Sequence, residues 1–322
     1  LIREHLQPPG IIVNHLKGDP AERRVNDWME WDGSLDLDAA FLGIPFDGAS
    51  TVRTGSRHGP DAIRQALPFY TTWSSDARRH MSGLRVADIG DVRVVVTDMQ
   101  GTFERVTAVV AELVGRGIRV ASIGGDHSVA WPILAGIARA MPGKRIGIIH
   151  FDAHHDLREA HFGAESSGVP FRKALEFEQH PIDGRNLVQI GIAEFCNSPI
   201  HDTYASEQGI TVIPQQAVRR RGIDDVAREA LERAGDGTDA IYVSIDVDAL
   251  DQSQAPGTAA PNPCGLDARD VMSALRYFAQ DPRIVGCDIV EISPPLDLNN
   301  MTGNVGAQLV LNFFFGLASG NR

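Results

Sequence analysis

Short apolar runs recur along this chain, separated by longer stretches whose apolar residues fall three and four apart. The runs at 40–44, 85–89, 118–123, 145–151 (RIGIIHF), 186–191, 210–213, 240–246 (AIYVSID) and 284–290 (IVGCDIV) read as strands. The periodic stretches at 102–115, 128–140, 223–234 and 267–280 read as amphipathic helices. A last helix, near 302–318, is more apolar than the others. Strands alternating with helices predict a mostly parallel sheet covered on both faces. Strands that are almost continuously apolar fit burial on both faces. The expected fold is therefore α/β, a three-layer α-β-α arrangement around about eight strands. No repeat, low-complexity tract or linker interrupts the pattern, so 1–322 reads as one domain. Residues 1–35 mix Pro, Gly and charge without a period and read as an N-terminal extension or arm.

Polar clusters fall where the apolar runs stop. GGDHS (124–128), DAHHD (152–156), DVD (246–248) and EISPP (291–295) each follow a strand. In open α/β sheets, ligands bind beyond the carboxyl ends of the strands. Side chains of an extended segment alternate in direction, so Asp152, His154 and Asp156 share one side while His155 points away. Asp246 and Asp248 share a side by the same rule. With His127, one sheet edge gathers four carboxylates and two imidazoles. His150 lies on the side of Asp152 but one step too deep to ligate, and His155 reads as an outer or structural residue. His58, His80, His161, His180 and His201 read as surface or loop residues, with His161 singled out because it lies just past the DAHHD loop.

Four adjacent carboxylates repel one another and take up protons unless cations balance them. Two divalent ions would do so. Oxygen-rich ligation with two imidazoles and no thiolate suits Mn²⁺, with Ni²⁺, Co²⁺ or Zn²⁺ as substitutes. Two such ions about 3.5–4 Å apart can share a water and lower its pKa, making a nucleophile at neutral pH.

Composition narrows the partners. A formal net charge of −12 argues against nucleic acid, which needs clustered Lys and Arg. The RRR at 219–221 reads as a solvated face. No apolar run approaches the ~18–20 residues of a membrane span, and the FFF at 313–315 reads as core. Three scattered cysteines, Cys196, Cys264 and Cys287, fit a reducing cytoplasm and offer no zinc spacing.

Four motifs, GGDHS, FDAHHD, SIDVDALDQSQAPG and DIVEISP, occur in an order that resembles the ureohydrolase superfamily of arginases, agmatinases and formimidoylglutamases. GIPFDGASTVRTGSRHGPDAIR (43–64) resembles that superfamily's N-terminal segment, so the likeness spans roughly residues 40–318. The resemblance implies an arginase-like fold and two Mn²⁺ per chain. One ion would be bound by His127, Asp152, Asp156 and Asp246, the other by Asp152, His154, Asp246 and Asp248. A bridging hydroxide would attack the trigonal carbon of an amidine or guanidine. Asp156 would hold it and pass its proton to the leaving nitrogen, and Glu291 would face the substrate's cationic nitrogens. A homo-oligomer, trimer or hexamer, is implied in the same way.

FDAHHDLR, GIAEFCNS, LDQSQAPG and LDLNNMTGNVGAQLV are similar to stretches of bacterial formimidoylglutamases, implying hydrolysis of N-formimino-L-glutamate to L-glutamate and formamide. Other features depart from that pattern. Ala193 stands where those enzymes carry an arginine, and Ser167 stands where guanidino-cleaving members carry a proton-shuttling histidine. PFDGAS and GGDHS are more like the agmatinase and guanidinobutyrase group, so a urea-releasing guanidino hydrolase is the alternative. Serine can position water but does not titrate near neutral pH. Arg158 and Arg172 are candidates to meet an acidic substrate. A catalytically silent paralogue would be expected to lose ligands, yet all six candidates are present.

Overall fold

In the computed structural model, residues 2–10, 23–160, 165–178 and 182–320 are described; His161 and His180 lie outside the described residues. The strands, in chain order, are β1 (Leu6–Gln7), β2 (Ala39–Gly43), β3 (Trp73–Ser74), β4 (Arg79–His80), β5 (Val86–Val92), β6 (Arg119–Ile123), β7 (Ile146–Phe151), β8 (Leu187–Ile192), β9 (Thr211–Pro214), β10 (Ala240–Asp246) and β11 (Ile284–Val290). β3 and β4 form a separate two-stranded ribbon. The other nine make one sheet in the order β1-β5-β2-β6-β11-β10-β7-β8-β9.

All eight strands expected from the sequence are in that sheet, and all are parallel. The ninth, β1, pairs antiparallel with β5 through Leu6↔Val92 and puts part of the N-terminal arm on the sheet edge. Two residues are too few for alternation to announce a strand.

The helices are α1 (Val25–Trp28), α2 (Gly59–Ala66), α3 (Met99–Gly115), α4 (Ala130–Ala140), α5 (Pro170–Leu175), α6 (Pro199–Glu207), α7 (Gln215–Arg221), α8 (Ile223–Gly235), α9 (Ala268–Phe278) and α10 (Met301–Gly320). The five long ones match the periodic stretches. Those missed are short, and too few turns are present for a 3.6-residue period to register. Their signals are local: proline in the first turn of α2, α5 and α6, the Ser198 cap of α6 and Gly222 at the end of α7.

Alternation sorts the strands into two cores. On β10, Ile241, Val243 and Ile245 face the layer holding α2, α8, α9 and α10, where Phe313 and Phe314 are also wholly buried. Ala240 and Tyr242 face the opposite layer, with α3 and α4. Close approach of α8 to β7 demands glycine at 147, because a Cβ there would lie 1.9 Å from the Ala234 carbonyl oxygen. No helix among the described residues is long and apolar enough to cross a membrane.

Strand order decides where the polar clusters meet. After β6 the chain skips two places to lay down β7, and β10 and β11 later return to fill them. The four strands followed by GGDHS, DAHHD, DVD and EISPP are thus the contiguous set β6-β11-β10-β7. Being parallel, they present all four clusters at one edge.

Candidate metal centre

The loop after β6 is built around Asp126, whose carboxylate accepts from the backbone N–H groups of Ser128 (3.0 Å) and Ala49 (2.8 Å). This turn aims His127 into the sheet edge. Its Nδ1 lies 3.0 Å from Asp156 Oδ2, 3.1 Å from Asp152 Oδ2 and 3.3 Å from Asp246 Oδ2. Its Nε2 lies 2.9 Å from Ser244 Oγ, which donates to Asp288 Oδ1 at 2.7 Å. Tyr242 donates to the other oxygen of Asp288 at 2.6 Å. A serine that gives its hydrogen to a carboxylate can only accept from the ring, so His127 carries a hydrogen at Nε2. Nδ1 is then the atom turned to the carboxylates, and it is buried without a hydrogen bond.

The second half of the constellation is held by the loops after β7 and β10. His154 Nδ1 lies 3.0 Å from Asp248 Oδ2 and 3.3 Å from Asp152 Oδ1. Backbone N–H groups fix the carboxylates: His154 donates to Asp152 Oδ1 (2.6 Å), Ala153 to Asp248 Oδ1 (3.1 Å) and Asp248 to Asp246 Oδ1 (2.8 Å). Asp152 turns one oxygen toward His127 and the other toward His154, so a single carboxylate spans both groups.

The electrostatics are those of a site short of positive charge. Burial, then Asp248 and Asp152, push the Asp246 carboxyl far above its ordinary range. Burial and Asp152 push Asp248 up to about 6. Burial works against charge on His127, but Asp152, Asp156 and Asp246 outweigh it and hold the imidazole well above its usual value. Asp152 is also opposed by burial, yet His127, His150 and His154 keep it well below the carboxylate range. A divalent cation held between these groups would relieve the repulsion, and His127 Nδ1 is the ring atom that could serve as its ligand.

Over the constellation opens a cleft. His127, His154, Asp156, Arg158, Ser167, Asp246, Asp248 and Glu291 line it, while Asp152 is wholly buried beneath. Glu291 sits in backbone of φ 64° and Asp156 in backbone of φ 51°. Such conformations in residues other than glycine cost about 1–3 kcal/mol and concentrate at functional sites. Glu291 Oε1 accepts from the His127 backbone N–H (3.1 Å), and Oε2 is buried without a partner. Burial, followed by Asp126, pushes the Glu291 carboxyl well up. Arg158 is exposed at the rim; its backbone N–H donates to the Gly168 carbonyl (2.9 Å), while its guanidinium makes no hydrogen bond or ion pair to the described residues.

Arg172 does not reach the cleft. It pairs with Glu176 (2.8 Å) and Glu159 (3.1 Å) and stacks over Tyr204, which corrects its candidacy for meeting substrate: on α5 its side chain points outward. His155 turns away from the cleft, its ring between Gln189 (2.6 Å) and Asp202 (2.9 Å). The walls at Ser50–Val52, inside the 43–64 segment, and at Thr258–Ala260 were not among the residues singled out from the sequence. Arg53 fastens the second wall, donating to the carbonyls of Thr258 (3.2 Å) and Ala259 (2.6 Å). Asp288 and Ser244 were also missed, as single polar letters inside apolar strands. Alternation could have found Ser244, which stands two residues before Asp246.

An almost wholly parallel α-β-α sheet with carboxylates and imidazoles converging on its central carboxyl edge defines the arginase fold. The chain belongs to the arginase family, whose family model matches residues 37–316. It is 35% identical over 288 residues to a formimidoylglutamase of Halalkalibacterium halodurans, covering 89% of each chain. It is 36% identical to a guanidinopropionase of Pseudomonas aeruginosa, covering 88% of this chain and 87% of that one. The crystal structure of Bacillus subtilis formimidoylglutamase superposes with a TM-score of 0.89 at 30% identity, covering 99% of this chain and 98% of that one.

Proposed function

We propose that this protein is a binuclear-metal hydrolase that cleaves a linear C–N bond of an amidine carrying an acidic tail, with N-formimino-L-glutamate as the first substrate. The observation that carries this reading is the unpartnered, buried Glu291 Oε2 facing the same cleft as His127 Nδ1 and an unpaired Arg158. His127, Asp152, Asp156 and Asp246 would hold one ion and Asp152, His154, Asp246 and Asp248 the other. The oxygen-rich donor set favours Mn²⁺. When bound, the ions supply Lewis acidity and an activated water.

The chain's own groups do the rest. Glu291 Oε2 accepts an N–H of the amidinium, each charge offsetting the other's desolvation, and so fixes the trigonal carbon over the centre. Asp156 takes the proton of the attacking water at a carboxylate oxygen and delivers it to the leaving nitrogen. Water adds its oxygen to the amidine carbon, and the amine of glutamate leaves, giving formamide. Arg158 pairs with the acidic tail. A homo-oligomer belongs to the same reading and is checked by light scattering.

Arg158 separates tail charges but not formimino from guanidino acids, and similarity to a guanidinopropionase keeps a guanidino-acid hydrolase as the second reading. The test is product release by the Mn²⁺-loaded protein from N-formimino-L-glutamate, 3-guanidinopropionate, 4-guanidinobutyrate, arginine and agmatine. Formamide from the first is expected; urea from a guanidino acid instead selects the second reading. Agmatine, with a cationic tail, should be the poorest. Arg158→Ala should raise KM for the acidic substrate about tenfold or more while sparing kcat, since hydrogen bonds to charged groups contribute about 1.5–3 kcal/mol. Efficient agmatine turnover by the wild type contradicts this assignment.

Ser167 lines the cleft, its backbone N–H held by the Ala49 carbonyl (2.9 Å). If the serine stands in a vacated shuttle position, Ser167→His should improve turnover of guanidino substrates, within the ~10²–10⁴-fold that general acid catalysis contributes. Loss of turnover in that variant means the cleft is built around the serine.

A further inference from the structure

Beneath the centre runs a hydrogen-bonded chain that lies outside the cleft. His150, two residues before Asp152, is wholly buried, and its Nε2 lies 2.8 Å from Asp152 Oδ2. Its ring leans on Phe171, with centroids 4.0 Å apart. Strand pairing sets His150 directly beside Gln189 of β8, also wholly buried. Gln189 Nε2 donates to the His155 carbonyl at 2.7 Å and lies 3.2 Å from His150 Nδ1, while its Oε1 lies 2.6 Å from His155 Nδ1.

This geometry leaves little freedom. A carbonyl oxygen only accepts, so the nitrogen of the Gln189 amide must face His155 O. The second hydrogen of that nitrogen then points at His150 Nδ1, which must accept it. A ring that accepts at Nδ1 carries its hydrogen at Nε2, facing Asp152. Each oxygen of Asp152 thereby receives one fixed hydrogen bond, Oδ1 from the His154 backbone and Oδ2 from His150, and each keeps a lone pair for the cleft. His155 locks the arrangement from outside: its backbone N–H donates to Asn197 (3.1 Å) and its Nε2 lies 2.9 Å from Asp202 of α6.

We infer that Gln189 is a positioning residue for the metal centre: it selects the His150 tautomer that donates to Asp152 and thereby orients the carboxylate shared by both ions. The inference rests on the two-ion reading above. Partners of this outer kind typically change metal affinity or activity about 10–100-fold when lost.

The experiment uses Gln189→Glu, which keeps the shape but cannot donate to His150, and Gln189→Leu, which removes both bonds. Each is also made in a His150→Gln background, where an amide with no tautomers is given the place of the ring. Mn²⁺ binding is followed by calorimetry and electron paramagnetic resonance, with thermal unfolding of the metal-stripped proteins alongside. The expected result is Mn²⁺ affinity about 10–100-fold weaker in both single variants, with stripped proteins melting close to the stripped wild type. In the His150→Gln background the same changes should add less than about threefold, as expected when one residue acts through the other. Unchanged affinity, a lowered melting point with wild-type affinity, or equal losses in both backgrounds each overturn the inference. A wild type that binds fewer than two Mn²⁺ per chain overturns the two-ion reading itself, and the inference with it.

Discussion

Asp246→Ala should be inactive and hold neither ion firmly, because in the proposed two-ion centre it deletes a carboxylate that both ions would share. The loss should exceed the ~10–100-fold associated with outer hydrogen-bond partners. Asp246→Asn is the control for folding, since an amide oxygen can still accept the Asp248 N–H that the carboxylate accepts at 2.8 Å. Metal content by mass spectrometry, measured with turnover, checks the prediction. Retention of two ions in either variant would falsify the shared-ligand assignment.

The same substitution should act oppositely on the stripped protein. Burial, Asp248 and Asp152 make Asp246 harder to ionise in the folded chain than in the unfolded one. Such a carboxyl favours folding below its unfolded value and loses that contribution as pH rises through its folded value. Asp248 adds the same sign between the ordinary carboxylate value of 3.8 and about 6. Stripped wild type should therefore lose stability as pH climbs through that interval and beyond. Stripped Asp246→Asn should lose less and melt no lower at neutral pH. Divalent metal should reverse the order, because ligand bound only to the folded state raises its stability.

Glu291→Gln should keep both ions and the fold while losing most of its catalytic efficiency. The amide oxygen can still accept the His127 N–H that Oε1 accepts at 3.1 Å, so the loop is preserved. What disappears is the negative charge against the amidinium. Removing one partner of a buried, hydrogen-bonded charge pair costs about 2–5 kcal/mol. At about 1.36 kcal/mol per decade, that is roughly thirtyfold to several thousandfold in kcat/KM. Two-ion occupancy with kcat/KM within about threefold of wild type would show that Glu291 does not meet the cation.

The two predictions rest on features of unequal visibility. Asp246 could be singled out from letters alone, because DVD closes an apolar run; in the structure a 3-10 turn over Val247–Ala249, capped by Asp246, rather than alternation, sets Asp248 beside it. Glu291 is one acid in a loop. The DIVEISP resemblance points to it, while its backbone φ of 64° and its buried, unpartnered oxygen are features that only the structure supplies. Arg172 and Arg158 looked alike as cations near the ligand loops. Neighbouring Glu159 and Glu176 occupy the first, while the second stands free at the rim of the cleft.

By itself, the sequence determined the eight parallel strands, the long helices, and which side of each strand end carries the polar groups. Those properties are local: periods of 2 and 3.6 residues and the places where apolar runs stop. Only the tertiary structure decided that β10 and β11 would fill the gap between β6 and β7, making the four polar ends neighbours. It alone decided that Ser244, Asp288, Gln189 and His150 would orient the groups above them. Those contacts join residues far apart in the chain, and a lone polar letter in an apolar strand does not say which partner the sheet will set beside it.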